Sequence, residues 1–278
     1  MIHRMNDHIL ETLPTSRRTM IDPAAMLTDA QLEHYRDRGY VIPDFRLPES
    51  VVEDLRADHA RLVTRHPELR QYCPNLLHYD LRFLEIARTP EIVAMVSQLL
   101  GPDLALWNSS LFAKPATDGK RTPWHQDGQY WPIRPLATCT VWIALDDSTT
   151  HNGCLRVIPG SHHGRKLRAH RKLEGDGATL NQELLASEYD ESKAADLVLA
   201  AGQMSLHDVF LLHGSEPNNS PLPRRGMTLR FMPTTSVFDR DIARAQAKEF
   251  ALADHSLRTL YLMSGVDRSG SNDFRMRR

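Results

Sequence analysis

Arg224-Arg225-Gly226-Met227-Thr228-Leu229-Arg230-Phe231 alternates between two kinds of side chain. Successive side chains of a strand point to opposite faces. One face therefore carries Arg224, Gly226, Thr228 and Arg230, and the other carries Arg225, Met227, Leu229 and Phe231. The second face is mostly apolar and suits packing against helices or a partner sheet. The first is small and polar around two cations, which fits the lining of a wet pocket. Residues 138–145 repeat the pattern: Cys139, Val141, Ile143 and Leu145 share an apolar face, while Thr140 and Trp142 share the other. Strands with one core face and one pocket face predict a sandwich or barrel built around an interior site.

N-terminal to these strands the texture is helical. Thr28-Asp29-Ala30-Gln31 reads as a capping box opening a helix that Gly39 ends, and Tyr40-Val41-Ile42 follows as a short strand. Ser50-Val51-Val52-Glu53 reads as a second capping box, before a helix with Val51, Leu55, His59, Leu62 and Val63 on one face. Thr89 as N-cap, Pro90 at the first helical position and Gly101 past the end bracket a third helix. Beyond Gly101 short strands are expected at 103–114, 122–128, 137–146, 153–158, 195–200, 203–206, 209–213 and 225–233, with turn signals such as Asn152-Gly153 between them. Residues 163–194 form a long polar connection of the kind that serves as an active-site lid. Residues 240–264 return to helical periodicity. The expected class is α+β with a mainly β core: an extension at 1–26, then a single domain over 27–278.

Composition narrows the function. Of 278 residues, 41% are apolar and 25% charged, and the formal net charge is −1, so no global field draws in nucleic acid or an anionic membrane. No apolar run approaches the ~18 residues of a membrane span. Residues 1–25 lack the long apolar stretch of a secretory signal. Cys73, Cys139 and Cys154 are scattered and form no CxxC pair, a pattern expected of a reduced, cytoplasmic protein.

Chemistry concentrates in His125-Gln126-Asp127, with His213 and Arg224 downstream. On a strand, His125 and Asp127 project together and Trp124 and Gln126 turn away. His213, placed at the end of an apolar Val209-Phe210-Leu211-Leu212 strand, supplies a second imidazole. Two histidines and one carboxylate form the facial ligand set that suits Fe(II) and leaves positions open. Arg224 on the pocket face is a planar cation able to anchor the far carboxylate of a 2-oxo diacid. The implied chemistry is consumption of O2 and a 2-oxo acid to hydroxylate a substrate. Two alternatives remain open: a jelly-roll metalloenzyme of another class, such as an isomerase or hydrolase, which has no need of Arg224, and a non-catalytic ligand-binding protein, which has no need of the full triad.

Longer stretches carry a resemblance. Trp124-His125-Gln126-Asp127, the following Tyr130-Trp131-Pro132-Ile133-Arg134-Pro135, Asn152-Gly153-Cys154-Leu155-Arg156-Val157-Ile158-Pro159-Gly160-Ser161-His162, and His213-Gly214-Ser215 with Asn218 and Arg224 together resemble the phytanoyl-CoA dioxygenase family over about residues 27–235. The resemblance implies a double-stranded β-helix (jelly roll) flanked by N- and C-terminal helices, with Fe(II), 2-oxoglutarate and O2 used for hydroxylation of a small molecule. It implies His125, Asp127 and His213 as iron ligands, Arg224 at the 2-oxoglutarate C5 carboxylate, Trp142 lining the cosubstrate pocket, and Ser110 and Asn108 on the strand that adds further cosubstrate contacts. Because Asp127 is present, hydroxylation is expected rather than halogenation. Gln129, Tyr130, Arg134 and Lys114 are candidate substrate contacts, each also compatible with packing or loop anchoring. The basic residues 165–172 either attract an anionic substrate or form a solvated loop. His207-Asp208 is expected in a turn before the distal ligand, and Arg230 is either a second anion anchor or the partner of a buried acid. Oligomeric state and substrate identity have no sequence signature.

Overall fold

The computed structural model describes residues 26–175, 177–250 and 254–274; the expected extension over 1–26 lies outside them except for Met26. Helices come first: α1 (Asp29–Arg38), α2 (Glu49–Arg65), α3 (Leu76–Tyr79), α4 (Phe83–Ala87) and α5 (Pro90–Leu100), with α6 (Arg240–Phe250) near the C-terminus. The strands are β1 (Tyr40–Val41), β2 (Tyr72–Cys73), β3 (Leu104–Lys114), β4 (Thr122–His125), β5 (Ile133–Arg134), β6 (Cys139–Ala144), β7 (Leu155–Val157), β8 (His170–Lys172), β9 (Gln182–Leu184), β10 (Ala195–Leu197), β11 (Met204–Asp208), β12 (His213–Ser215), β13 (Arg224–Pro233), β14 (Val237–Phe238) and β15 (Tyr261–Ser264). A large antiparallel sheet runs β1-β11-β6-β13-β3-β15, with β2 also on β3, and a small one runs β10-β7-β12-β4. Two sheets enclosing an interior site make the jelly roll.

Alternation on β13 and β6 decides where the core sits. Met227, Leu229 and Phe231 join Cys139, Val141, Ile143 and Leu145 in one buried cluster with Val52, Leu55 and Leu62 of α2 and Ile92 and Met95 of α5. The helices therefore cover the outer face of the large sheet. The opposite faces, with Arg224, Thr228, Arg230, Thr140 and Trp142, line the interior cavity. β13 is paired on both edges, Thr228 lying opposite Ser110 of β3 and opposite Trp142 of β6. A slip of one residue would drive its apolar side chains into the cavity, so the core pattern also fixes the site.

The Thr28 capping box forms in full: Thr28 Oγ1 accepts from Gln31 N at 3.2 Å and Gln31 Oε1 accepts from Thr28 N at 3.0 Å. The expected box at Ser50 does not form. Pro48 occupies the N-cap and α2 is already helical at Glu49, which leaves Ser50 inside the first turn. Two strand expectations and one turn expectation are also corrected. The strand expected at 122–128 stops at His125, and Asp127 opens a 3₁₀ turn. Residues 209–212 are not a strand, and His213 begins β12 instead of ending one. His207-Asp208 is the end of β11, paired with Thr140 and Cys139, not a turn. The helical pattern of 240–264 covers only α6, since β15 adds an edge strand to β3. No helix among the described residues is long and apolar enough to cross a membrane.

Candidate metal centre and its two chambers

His125 ends β4 and His213 begins β12, and the two residues are direct cross-strand partners in the small sheet. Gln126 stays extended before the 3₁₀ turn, so Asp127 falls on the same side as His125. The three side chains are buried, and their ligand atoms all lie within 4.8 Å of one another. Asp127 Oδ1 is 3.7 Å from His125 Nε2 and 3.9 Å from His213 Nε2.

The hydrogen bonds behind these atoms fix their chemical state. His125 Nδ1 is 2.8 Å from Pro123 O and His213 Nδ1 is 2.9 Å from Leu211 O. A carbonyl only accepts, so each Nδ1 carries a proton, which leaves Nε2 as the atom each ring can offer to a metal ion. Burial, followed by the neighbouring His125, holds His213 well below the ordinary imidazole range, which keeps it neutral. Burial by itself would raise the Asp127 carboxyl. His125, His207, His213 and the Arg230 charge outweigh that effect and hold it well below the usual carboxylate range. Thr140 Oγ1 donates to Asp127 Oδ2 at 3.1 Å, and His207 Nε2 stands 3.6 Å from the same oxygen. Oδ2 is thereby oriented by protein groups while Oδ1 faces the imidazoles. The donor set, two imidazoles plus an ionised carboxylate on one side of a cavity, fits Fe(II).

Arg224 and Trp142 share the cavity that the triad lines. The guanidinium carbon lies 5.3 Å from the Trp142 ring centroid, Nε donates to Gly153 O at 3.1 Å and Nη1 donates to Phe112 O at 3.3 Å. No acid pairs with it among the described residues, and burial pushes it down to about 10. Gly226 makes the arrangement possible, because a Cβ there would lie 2.1 Å from the Trp142 ring. Gly153 is equally constrained: its φ is +77°, and a Cβ would meet Glu216 O at 2.4 Å.

A second chamber of about 270 Å³ opens on the other side of the triad. Phe112, His125, Asp127 and Arg230 border both spaces, whereas Trp107, Asn108, Tyr130, Trp131, His255 and Arg258 belong to the second. Thr179, Leu180 and Asn181 close one side of it, so the long 163–194 connection contributes a wall and the β8–β9 hairpin.

The remaining candidates separate. Ser110 and Asn108 sit beside Arg230 and not Arg224: Arg230 Nη1 donates to Ser110 Oγ at 2.6 Å, and Asn108 Nδ2 donates to the same oxygen at 3.1 Å. Lys114 is opposite Arg224 in register, but its amine donates to Lys120 O, and burial together with the Arg224 charge pushes it down to about 6. Tyr130 borders the second chamber, whereas Gln129 donates to Gln182 Oε1 at 3.0 Å outside both spaces. Arg134 is exposed and donates to Trp131 O and Ile133 O, a loop-anchoring arrangement. Much of the basic run is tied down as well: Arg171 pairs with Glu183 at 2.9 Å, and Arg168 donates to Glu188 O. Gln126, turned away from the triad, pins this run by accepting from Arg168 N at 2.7 Å and donating to Lys166 O at 3.0 Å.

Sequence reasoning missed Thr140 as the Asp127 orienter, although its place on the pocket face of β6 was legible. It also missed Tyr72, Trp107, His255 and Arg258, which no local motif marks.

Comparison with known proteins agrees with this geometry. The family model for phytanoyl-CoA dioxygenase matches residues 21–226. The peroxisomal phytanoyl-CoA dioxygenase of Mus musculus is 33% identical over 233 residues, 74% of this chain and 68% of that protein. A probable alpha-ketoglutarate-dependent hypophosphite dioxygenase of Stutzerimonas stutzeri is 32% identical over 150 residues, 52% of this chain and 51% of that protein. Among solved structures, EvdO2 from Micromonospora carbonacea complexed with 2-oxoglutarate superposes with a TM-score of 0.63 at 26% identity, covering 75% of this chain and 91% of its own. The apo form of the non-heme monooxygenase ThoJ gives 0.68 at 26%, covering 87% and 86%. With its jelly roll, its inward histidine–aspartate–histidine set and this match over most of its length, the chain belongs to the phytanoyl-CoA dioxygenase family of iron- and 2-oxoglutarate-dependent oxygenases.

Proposed function

We propose that this protein hydroxylates an unactivated C–H bond of a small organic molecule, consuming O2 and 2-oxoglutarate and releasing succinate and CO2. Three buried ligand atoms within 4.8 Å of one another, sharing a cavity with an arginine that has no acid partner among the described residues, carry the reading. His125 and His213 would hold Fe(II) through Nε2 and Asp127 through Oδ1. Arg224 would pair with the C5 carboxylate of 2-oxoglutarate, with Trp142 as the flat wall beside it. When bound, iron with 2-oxoglutarate and O2 supplies the oxidant: one oxygen atom goes to succinate and the other to the C–H bond. The chain supplies orientation and exclusion of water. Carbonyls behind Nδ1 lock both imidazole tautomers, and Thr140 locks the carboxylate. A cytoplasmic setting fits the three cysteines, all free and buried.

Anaerobic titration with Fe(II) and 2-oxoglutarate tests this directly. A visible charge-transfer band requiring both additions is expected, and Asp127→Ala should abolish the band and succinate formation while leaving the circular dichroism intact. A wild-type protein that gives neither band nor succinate would remove the proposal.

A further inference from the structure

We propose that the second chamber holds the substrate by an anionic group, a carboxylate or phosphonate, gripped by Arg230 and Arg258, with its carbon body between aromatic walls. This rests on the oxygenase reading and adds the substrate class to it.

Two buried guanidinium groups are the main observation. Arg230 is 5% exposed and Arg258 is 6% exposed, and both line the chamber. Arginine stays charged in proteins, so each needs a counter-charge or a full set of acceptors. Neither forms an ion pair among the described residues. Arg258 Nη2 donates to Pro74 O at 2.9 Å and Nε donates to His255 Nδ1 at 3.1 Å, which leaves Nη1 without a partner. Arg230 Nη1 is taken by Ser110 Oγ, which leaves Nε without one. Trp107 Nε1 is a third unpartnered donor on the same wall. Arg230 acts on Asp127 at a distance, but that carboxylate is already engaged by Thr140 and the imidazoles. Burial pushes Arg258 down to about 9, with the Arg230 charge adding to the effect. An oxyanion between the two groups would offset the burial cost and satisfy the open donors.

The walls specify the rest of the ligand. The Arg230 guanidinium carbon lies 5.2 Å from the Trp131 ring and 5.8 Å from the Phe112 ring, and that of Arg258 lies 5.5 Å from Trp107. These rings hold the guanidinium groups in place and leave flat apolar surface beside them. The occupant is therefore a small acid with an apolar or planar body, of a size set by about 270 Å³.

Cosubstrate alone does not account for these cations. Arg224 and Arg230 are six residues apart on β13, which at roughly 3.3 Å per residue separates their backbones by about 20 Å. Both guanidinium groups approach Phe112, but Arg224 lies on the Trp142 side and Arg230 on the Trp131 side, where it shares the second chamber with Arg258, a residue that does not line the first. Arg230 and Arg258 also lie beyond residue 226, where the family match ends.

Acids and their neutral counterparts separate the outcomes: phenylacetate against phenylacetamide, octanoate against octanamide, and phenylphosphonate against its diethyl ester. Each is titrated anaerobically into the Fe(II)–2-oxoglutarate enzyme and followed by tryptophan fluorescence, because Trp107 and Trp131 face the chamber. At least one acid should bind tenfold or more tightly than its counterpart. Arg258→Gln should erase that preference with the charge-transfer band unchanged, and Arg258→Lys should keep part of it. If no acid exceeds its counterpart, or if Arg258→Gln keeps the full preference, the proposal is overturned. Where Arg258→Gln does not fold, an undiminished preference in Arg258→Lys overturns it as well. A missing charge-transfer band in the wild type counts against the oxygenase reading alone, and a normal band without acid preference counts against this subsite alone.

Discussion

The two chambers meet at the same triad but are assembled from very different lengths of chain. On the Arg224 side, the lining comes from strands already paired in register: Arg224 and Thr228 from β13, Thr140 and Trp142 from β6. On the Arg258 side, it comes from Tyr72 and Pro74, from Trp107 and Asn108, from Tyr130 and Trp131, and from His255 and Arg258. One bond there, Arg258 Nη2 to Pro74 O, joins residues 184 positions apart. The first chamber is lined almost wholly by strands of the two sheets, whereas the second adds to its strand residues Tyr72, Trp107, Asn108 and Arg230 several groups from outside the strands, among them Tyr130, Leu180, His255 and Arg258. A reaction with one fixed cosubstrate and a variable substrate divides naturally in this way.

Breaking the sheet side should give the largest effects. Arg224→Met leaves a bound carboxylate without its partner, an expected loss of about 2–5 kcal/mol. The 2-oxoglutarate concentration for half-maximal charge-transfer absorbance should therefore rise at least ~30-fold, and an unchanged value would show that Arg224 is not the anchor. Thr140→Val removes the donor to Asp127 Oδ2. Iron affinity, read by competition with a chromogenic chelator, should fall ~10–100-fold, in the range typical of outer-shell partners. Gly226→Ala forces Trp142 aside at a cost of about 1–3 kcal/mol. Both the melting temperature and 2-oxoglutarate affinity should drop, and a change in only one of them would separate packing from cosubstrate recognition.

The smallest effect belongs to the Arg258 side and appears only in acid. Burial, followed by the Arg258 charge, pushes His255 down to about 3, well below the ~6.5 expected for an unfolded histidine. Above pH ~6.5 both states are neutral and nothing is lost. As pH falls from there toward 3 the unfolded chain takes up a proton that the folded chain refuses, so stability declines across that window. His255→Gln keeps an acceptor for Arg258 and removes this contribution. Its acid-unfolding midpoint should move to lower pH, with stability at pH 8 nearly unchanged.

What could be read from sequence follows the same division. Strict alternation identified the inward arginine, Trp142 and the core face of β6 and β13, because a strand's period maps directly onto burial. The histidine–aspartate pair was legible as a pair. Its local geometry was not, since Asp127 reaches the site through an extended Gln126 and a 3₁₀ turn, and a side chain that pegs a distant loop leaves no periodic trace. Ser110 and Asn108 were placed on the strand that carries them, and only the register with β13 shows that they meet Arg230. His255 and Arg258 follow a helix and precede an edge strand, in a stretch whose residues carry meaning only once folded back onto β3.

Hydrogen bonding of β13 along both edges has a consequence for how such an enzyme diversifies. Inserting or deleting one residue between Arg224 and Arg230 would invert every side chain beyond the change, and with it the metal-facing surface. The segment bearing Arg258 lies between α6 and β15 and is not itself in a strand. A change of length there would leave the registers of β13 with β3 and β6, and so the facing of Arg224 and Trp142, untouched.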